Sequence, residues 1–243
     1  MTTRPTYRQV LDDLAGAQKG AARSAPAYSR FVNRRLGRLL AAWAFRAGMT
    51  PNAVTAISAA FTFAGIGLLA LAPLRAWTGV AVTVLLVLGY AFDSADGQVA
   101  RLTGTGSSAG EWLDHIVDAT KISALPLALL VGLYRAEIAD PWLVVVLVNA
   151  VAGAVLFFGM ILTEQMRRAY GVRSQAAGEG RWRHARALLV LPTDYGVLCL
   201  SFLLLGALDV FLVVYALLTL ATVGFLSLAA PKWYRELRAL GGR

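Results

Sequence analysis

One cysteine, Cys199, and two histidines in the whole sequence leave no material for a disulfide framework or a cysteine zinc site. Cys199 stands in an apolar run and reads as a small packing residue. Acids are few as well: 14 Asp and Glu against 23 Lys and Arg, for a net charge of +9. Charged residues make up 15% of the chain, well short of the ~25% of a soluble domain. Residues 1–30 are polar and hold no apolar stretch of the kind a secretory signal needs. No internal repeat or low-complexity tract stands out.

What the chain has in quantity is hydrophobe. Hydrophobic residues account for 58% of it, against about 45–50% in globular proteins. Mean hydropathy is +0.61. This is membrane composition, and it changes the meaning of the positive charge. Nine of the basic residues precede position 50, six lie between 167 and 186, and four close the chain. They flank apolar segments, which is a topology signal and a means of meeting anionic headgroups rather than nucleic acid.

The expected fold is an all-α integral membrane protein with six transmembrane helices behind an amphipathic, interfacial N-terminal helix. Tyr7, Val10, Leu11 and Leu14 recur at helical spacing. From Tyr28 to Ala47, apolar Phe31, Leu36, Leu39, Leu40, Trp43 and Phe45 alternate with arginines able to snorkel to headgroups. Thr50 and Pro51 read as N-cap and first residue of the next helix. At about 20 apolar residues per span, spans are expected near 52–72, 78–100, 111–133, 141–163, 185–206 and 209–230. Pro126 and Pro192 are expected to bend theirs. Three regions follow: an interfacial segment 1–49, a catalytic membrane domain 50–231 and a basic tail 232–243. With both termini cytoplasmic, only Arg75 and Arg135 fall outside, and the other 21 of 23 basic residues lie on the cytoplasmic side. The expected location is the cell membrane, as a multi-pass protein of a bacterial inner membrane whose site faces the cytoplasm.

Against this background the stretch from Asp93 to Asp118 is an anomaly. It reads Asp93-x2-Asp96-Gly97-x2-Ala100-Arg101-x8-Gly110-x3-Asp114-x3-Asp118, between apolar runs at Val80–Tyr90 and Ile122–Leu133. Positions 93, 96, 97, 100 and 101 share one helix face, as do 110, 114, 118 and 121. A short loop makes the two helices antiparallel neighbours whose four carboxylates converge. An Asp at mid-span costs about 2.5–3.5 kcal/mol, and four together repel unless cations join them. Hard oxygen donors without cysteine point to Mg²⁺, Mn²⁺ or Ca²⁺. Two such ions suit phosphoryl transfer. Gly97, Ala100 and Gly110 clear space for a ligand, and Arg101 is a natural phosphate partner.

Those eight identities over 26 residues resemble the signature of the CDP-alcohol phosphotransferase (CDP-alcohol phosphatidyltransferase) family. Thr50-Pro51-Asn52-x-Val54-Thr55 resembles the start of the first span in many members. The resemblance implies a membrane enzyme of phospholipid biosynthesis, usually a homodimer. It would cleave a CDP-linked alcohol, transfer the substituted phosphate to an acceptor hydroxyl and release CMP. Asp93, Asp96, Asp114 and Asp118 would hold two Mg²⁺ or Mn²⁺ ions, with Asp118 also the candidate general base. Gly97, Ala100, Arg101 and Gly110 would shape the CDP site, and Asn52 would border it.

The substrate stays open between two branches. Members that use CDP-diacylglycerol with a phosphorylated acceptor often carry Lys or Arg directly after the last Asp; here Ala119 stands there. Lys121 sits about 200° around the helix from that position. Lys121 and Arg38 are the candidates for reading an acceptor or its phosphate. Gly110-Glu111-x-x-Asp114-His115 instead resembles the eukaryotic choline and ethanolamine phosphotransferases, which use a CDP-linked headgroup and diacylglycerol. There Glu111 and His115 would join Asp118 in activating the lipid hydroxyl. Tyr28-Ser-Arg30-Phe31-Val-Asn33-Arg34 resembles the interfacial helix of members making inositol-type lipids. Outside the family, the acid cluster would serve a cation transporter, which has little use for an arginine beside its acids.

Overall fold

The computed structural model describes residues 6–21, 26–172 and 191–241, which are helical with no β-strand among them. α1 (Tyr7–Ala21) precedes a π-helical turn (Ser29–Asn33) that runs directly into α2 (Arg34–Arg46). Then come α3 (Pro51–Leu71), α4 (Ala76–Thr103), α5 (Ser108–Arg135) and α6 (Asp140–Ala169). After a 3₁₀ turn at Leu191–Thr193, α7 (Tyr195–Ser201) passes into a second 3₁₀ stretch (Phe202–Gly206), and α8 (Leu208–Gly241) closes the chain. Among the described residues α3, α4, α5, α6 and α8 are long and apolar enough to cross a membrane.

Five expected spans thus appear where hydropathy placed them. Of the stretch 185–206, residues 185–190 lie outside the described residues; the rest is a short α-helix between two 3₁₀ turns. The basic residues of 173–186 also lie outside. Pro126 sits inside α5 and Pro231 inside α8 without ending either helix.

Local chemistry sets the helix ends that matter for function. Thr50 is extended and its hydroxyl accepts the Ala53 N–H at 3.2 Å, ahead of Pro51. α4 stops at Gly104, whose φ of +65° is the left-handed conformation glycine adopts freely. Ser107 then caps α5 by accepting the Gly110 N–H at 3.1 Å. Asp194, buried ahead of α7, accepts both the Gly196 N–H at 3.0 Å and the Ser29 N–H at 2.9 Å, so it ties α7 to the π-helical turn.

α3 packs between α4 and α5; α5 then packs on α6, α6 on α8, and α8 returns to α4 through the segment Tyr195–Gly206. The ring is filled by Leu86, Leu125, Leu129, Leu133, Phe202, Phe211 and Tyr215. This corrects the expectation for α4 and α5. They are joined by a short loop, yet their backbones hardly touch, because α3 lies in the groove between them. Outside the ring, α1 and α2 cover α3 and α4 with Val10, Leu14, Ala41 and Ala44 against Phe92, Ala95 and Val99. α2 turns its small residues inward and leaves Leu36, Leu39 and Trp43 exposed, as the π-helical turn leaves Phe31.

The seam between α3 and α4 is close enough to test. A Cβ at Gly89 would collide with the Thr62 hydroxyl and stand 3.1 Å from the Ser58 carbonyl oxygen. The Ser58 hydroxyl donates to the Gly89 carbonyl at 2.8 Å. Gly89→Ala is expected to destabilise the protein by about 1–3 kcal/mol, the range for overpacking, read as a lower Tm in detergent. A Tm equal to that of the parent protein would mean that Thr62 yields freely.

Candidate active site

The last turns of α4 and the first turns of α5 carry the acids, and α3 supplies the floor. Asp96 is buried, with its Oδ2 accepting from the Thr55 hydroxyl at 2.6 Å and its Oδ1 facing the Gly97 N–H. On α5, one ligand atom each from Asp114, His115 and Asp118 lie within 4.8 Å of one another. His115 stands 3.9 Å from Asp114 through Nδ1 and 3.7 Å from Glu111 through Nε2. Asp93 meets the cluster through Lys121, whose Nζ lies 2.7 Å from Asp93 Oδ1 and 2.5 Å from Asp118 Oδ1. That lysine is only 4% exposed and lies over the Tyr195 ring at 5.8 Å.

Asp96 and Asp114 line a cavity of about 630 Å³, with Asn52, Thr55, Gly97, Ala100, Arg101, Gly110, Glu111 and Arg168 in its wall. Asp93 and Asp118 are paired with Lys121 and are not part of that lining. The cavity is also bordered by the first residues of α3 and α5, Pro51, Asn52 and Ser108. Helix N-termini carry partial positive charge, which favours an anionic ligand there.

The donor set fits a hard divalent ion. Its members are carboxylates with one imidazole. One buried atom of the cluster, His115 Nδ1, has no hydrogen-bond partner. Asp118 Oδ1 is already met by a cation, the Lys121 ammonium at 2.5 Å. A buried ring nitrogen left unpaired in this way is costly unless a donor or a cation takes it.

Sequence reasoning placed Asn52, Gly97, Ala100, Arg101 and Gly110 around one ligand, and all five line the cavity. Glu111 is at its rim. Its Oε1 takes Arg168 Nη1 at 2.5 Å and Gln165 Nε2 at 3.4 Å, so α6 holds it. Arg38 is not in the lining; its Nε is buried on α2 without a hydrogen-bond partner. Lys121 turns inward onto two acids, Asp93 and Asp118. Arg34 on α2 lies near Arg101: burial first, and then the Arg101 charge, hold its guanidinium below the usual range.

Two members of the site escaped the sequence. Arg168 reaches the cavity from α6, and its partner Glu111 is 57 residues away in sequence, a pairing that periodicity cannot reveal. Thr55 is one helical turn beyond Pro51, within the stretch that drew attention as a helix start, but its partner Asp96 is on another helix. The model of the family described as CDP-alcohol phosphatidyltransferase matches residues 48–230, a stretch that contains all four acids. Comparison with curated proteins finds no match.

Proposed function

The chain belongs to the CDP-alcohol phosphatidyltransferase family, and from that premise we propose that it cleaves a CDP-linked alcohol and passes the substituted phosphate to an acceptor hydroxyl, forming a phospholipid and releasing CMP. The observation that carries this reading is the meeting of the acid cluster with a cavity walled by Arg101, Arg168, four glycines and two helix N-termini. A cation path has no use for such a wall; a diphosphate has.

Asp93, Asp96, Asp114 and Asp118 would hold two Mg²⁺ or Mn²⁺ ions, which when bound neutralise the diphosphate and stabilise the departing phosphate oxygen. The chain's own residues do the rest. Gly97, Ala100 and Gly110 let the CDP moiety approach the backbone, and Asn52 closes its edge. Arg101 and the N-termini of α3 and α5 orient the phosphates. Asp118 accepts the proton of the acceptor hydroxyl as its oxygen bonds to the donor's alcohol-bearing phosphorus. The bond from that phosphorus to the bridging oxygen breaks, and the oxygen leaves with CMP.

Two donor classes remain in competition. One is CDP-diacylglycerol with a polar alcohol acceptor, phosphorylated or not. The other is a CDP-linked headgroup with a diacylglycerol-like acceptor, where His115 and Glu111 assist Asp118. In the first, Lys121 or Arg38 would read an acceptor phosphate. Lys121 is already engaged by Asp93 and Asp118, which favours an acceptor without a phosphate.

In the membrane, α3 to α6, the segment ending at Gly206, and α8 serve as the six spans. The π-helical turn and α2 lie on the cytoplasmic surface with Phe31, Leu36, Leu39 and Trp43 in lipid, and the cavity faces the cytoplasm, where soluble nucleotide is found. The working unit is a homodimer. The test is CMP release by the purified protein with Mg²⁺ or Mn²⁺ across both donor classes, followed by mass spectrometry of the lipid product. Release from one class identifies the branch, and no release from any donor and alcohol pair ends the reading.

A further inference from the structure

The most unusual group in the ring is Lys121, an ammonium 4% exposed in an apolar bundle and in contact with acids from two different helices. Its neighbours explain its charge: Asp93 from α4 at 2.7 Å, Asp118 one turn back on α5 at 2.5 Å, and the Tyr195 ring face from α7. Its position matters more. α4 and α5 have almost no backbone contact, and the bond from Lys121 to Asp93 is a side-chain link that joins them at the acid cluster.

We infer that Lys121 is a resident cation of the acid cluster: it holds Asp93 and Asp118 together as an ion triad in the metal-free protein, and yields carboxylate oxygens to the divalent ion that competes for them. The inference rests on the metal-dependent reading above. The physical argument is charge. Four carboxylates in a partly dry site repel, and one ammonium in contact with two of them removes part of that repulsion. A divalent ion brings twice the charge to the same oxygens, so the two cations compete for one set of ligands. Lys121 thereby sets how tightly the cluster binds metal. It is a positioning residue, acting through Asp93 and Asp118 and touching no substrate.

The experiment is a Mn²⁺ titration of thermal stability in detergent, on the parent protein and on Lys121→Met, Lys121→Gln and Lys121→Arg, without substrate. The parent protein is expected to gain Tm with Mn²⁺. Lys121→Met should start lower in EDTA, gain more on Mn²⁺ addition and reach half-effect at a Mn²⁺ concentration at least about tenfold lower, as loss of a unit charge touching two ligands implies. Lys121→Gln should do the same, and Lys121→Arg, which keeps the charge, should stay near the parent. Folding of the Met and Gln variants only in the presence of Mn²⁺ also supports the inference.

The failures are separable. A parent protein with no Mn²⁺ response removes the metal reading itself. A parent that responds, with Met and Gln variants of unchanged or weaker Mn²⁺ response, overturns the role of Lys121. So does a failure of both to fold even with Mn²⁺, which would make the lysine plain structural cement.

Discussion

Asp118→Asn is expected to lower CMP release by about 10³-fold or more, the loss of general base and metal ligand together, while the protein still folds. The substitution keeps the shape of the side chain and removes its charge. Asn cannot take a proton from the acceptor hydroxyl near neutral pH. It also breaks the ion pair with Lys121, which then has Asp93 alone at 2.7 Å. The steric change is nil, so the packing of α5 against α3 and α6 should survive. The check is single-turnover CMP release beside a Tm measurement in detergent. Retention of a tenth of parent activity in a well-folded Asp118→Asn protein would show that the proton leaves by another route. His115, in the same cluster of ligand atoms, would then be the residue to examine.

Chelation gives the second large effect. In EDTA the purified protein is expected to lose CMP release by about 10³-fold or more, since metal ions contribute several kcal/mol to such reactions and each 1.4 kcal/mol is a factor of ten. Mg²⁺ or Mn²⁺ should restore it. The reason lies in the donor atoms: Asp96 and Asp114 line the cavity, and ligand atoms of Asp114, His115 and Asp118 lie within 4.8 Å of one another. Arg168 is already paired with Glu111, so the arginines alone are not expected to replace the charge of the ions. Unchanged turnover after exhaustive EDTA treatment would sink the two-metal mechanism and leave the arginines as the phosphate-neutralising groups.

How much of this could be read in advance follows from the range over which each signal acts. The grouping of 93, 96, 97, 100 and 101, and of 110, 114, 118 and 121, is helix arithmetic within a few turns, and it placed the cluster. The caps at Thr50 and Ser107 are local hydrogen bonds and follow from residue type and spacing. Which acids line the cavity was not legible, because it depends on α3 standing between α4 and α5, a choice of packing that a four-residue loop does not dictate. The inward turn of Lys121 was half-visible. Its place on the 114–118 face pointed toward the acids, whereas its offset from position 119 suggested a separate role. Arg168 and Glu111 meet across two helices, with no local trace. The stretch 185–206 reads as one span by hydropathy, yet its described part, 191–206, is a seven-residue α-helix flanked by 3₁₀ turns, a detail that apolar content cannot encode.

The position of α3 has a consequence for how precisely the acids are spaced. With α4 and α5 each seated on α3 rather than on each other, α3 serves as a ruler, and the marks on it are glycine contacts. Gly89 on α4 rests against Thr62 and Ser58. Gly132 on α5 is so close to the Leu69 carbonyl oxygen that a Cβ would stand 2.8 Å from it. The first mark is about 6 Å along α4 from Asp93, and the second about 21 Å along α5 from Asp118, at 1.5 Å per residue. A helix pivoting on the far mark moves the carboxylate at its other end. The spacing of the acids is thus set from apolar contacts on α3, outside the residues that line the cavity. Bulk added at either glycine should disturb the chemistry as well as the stability of the protein.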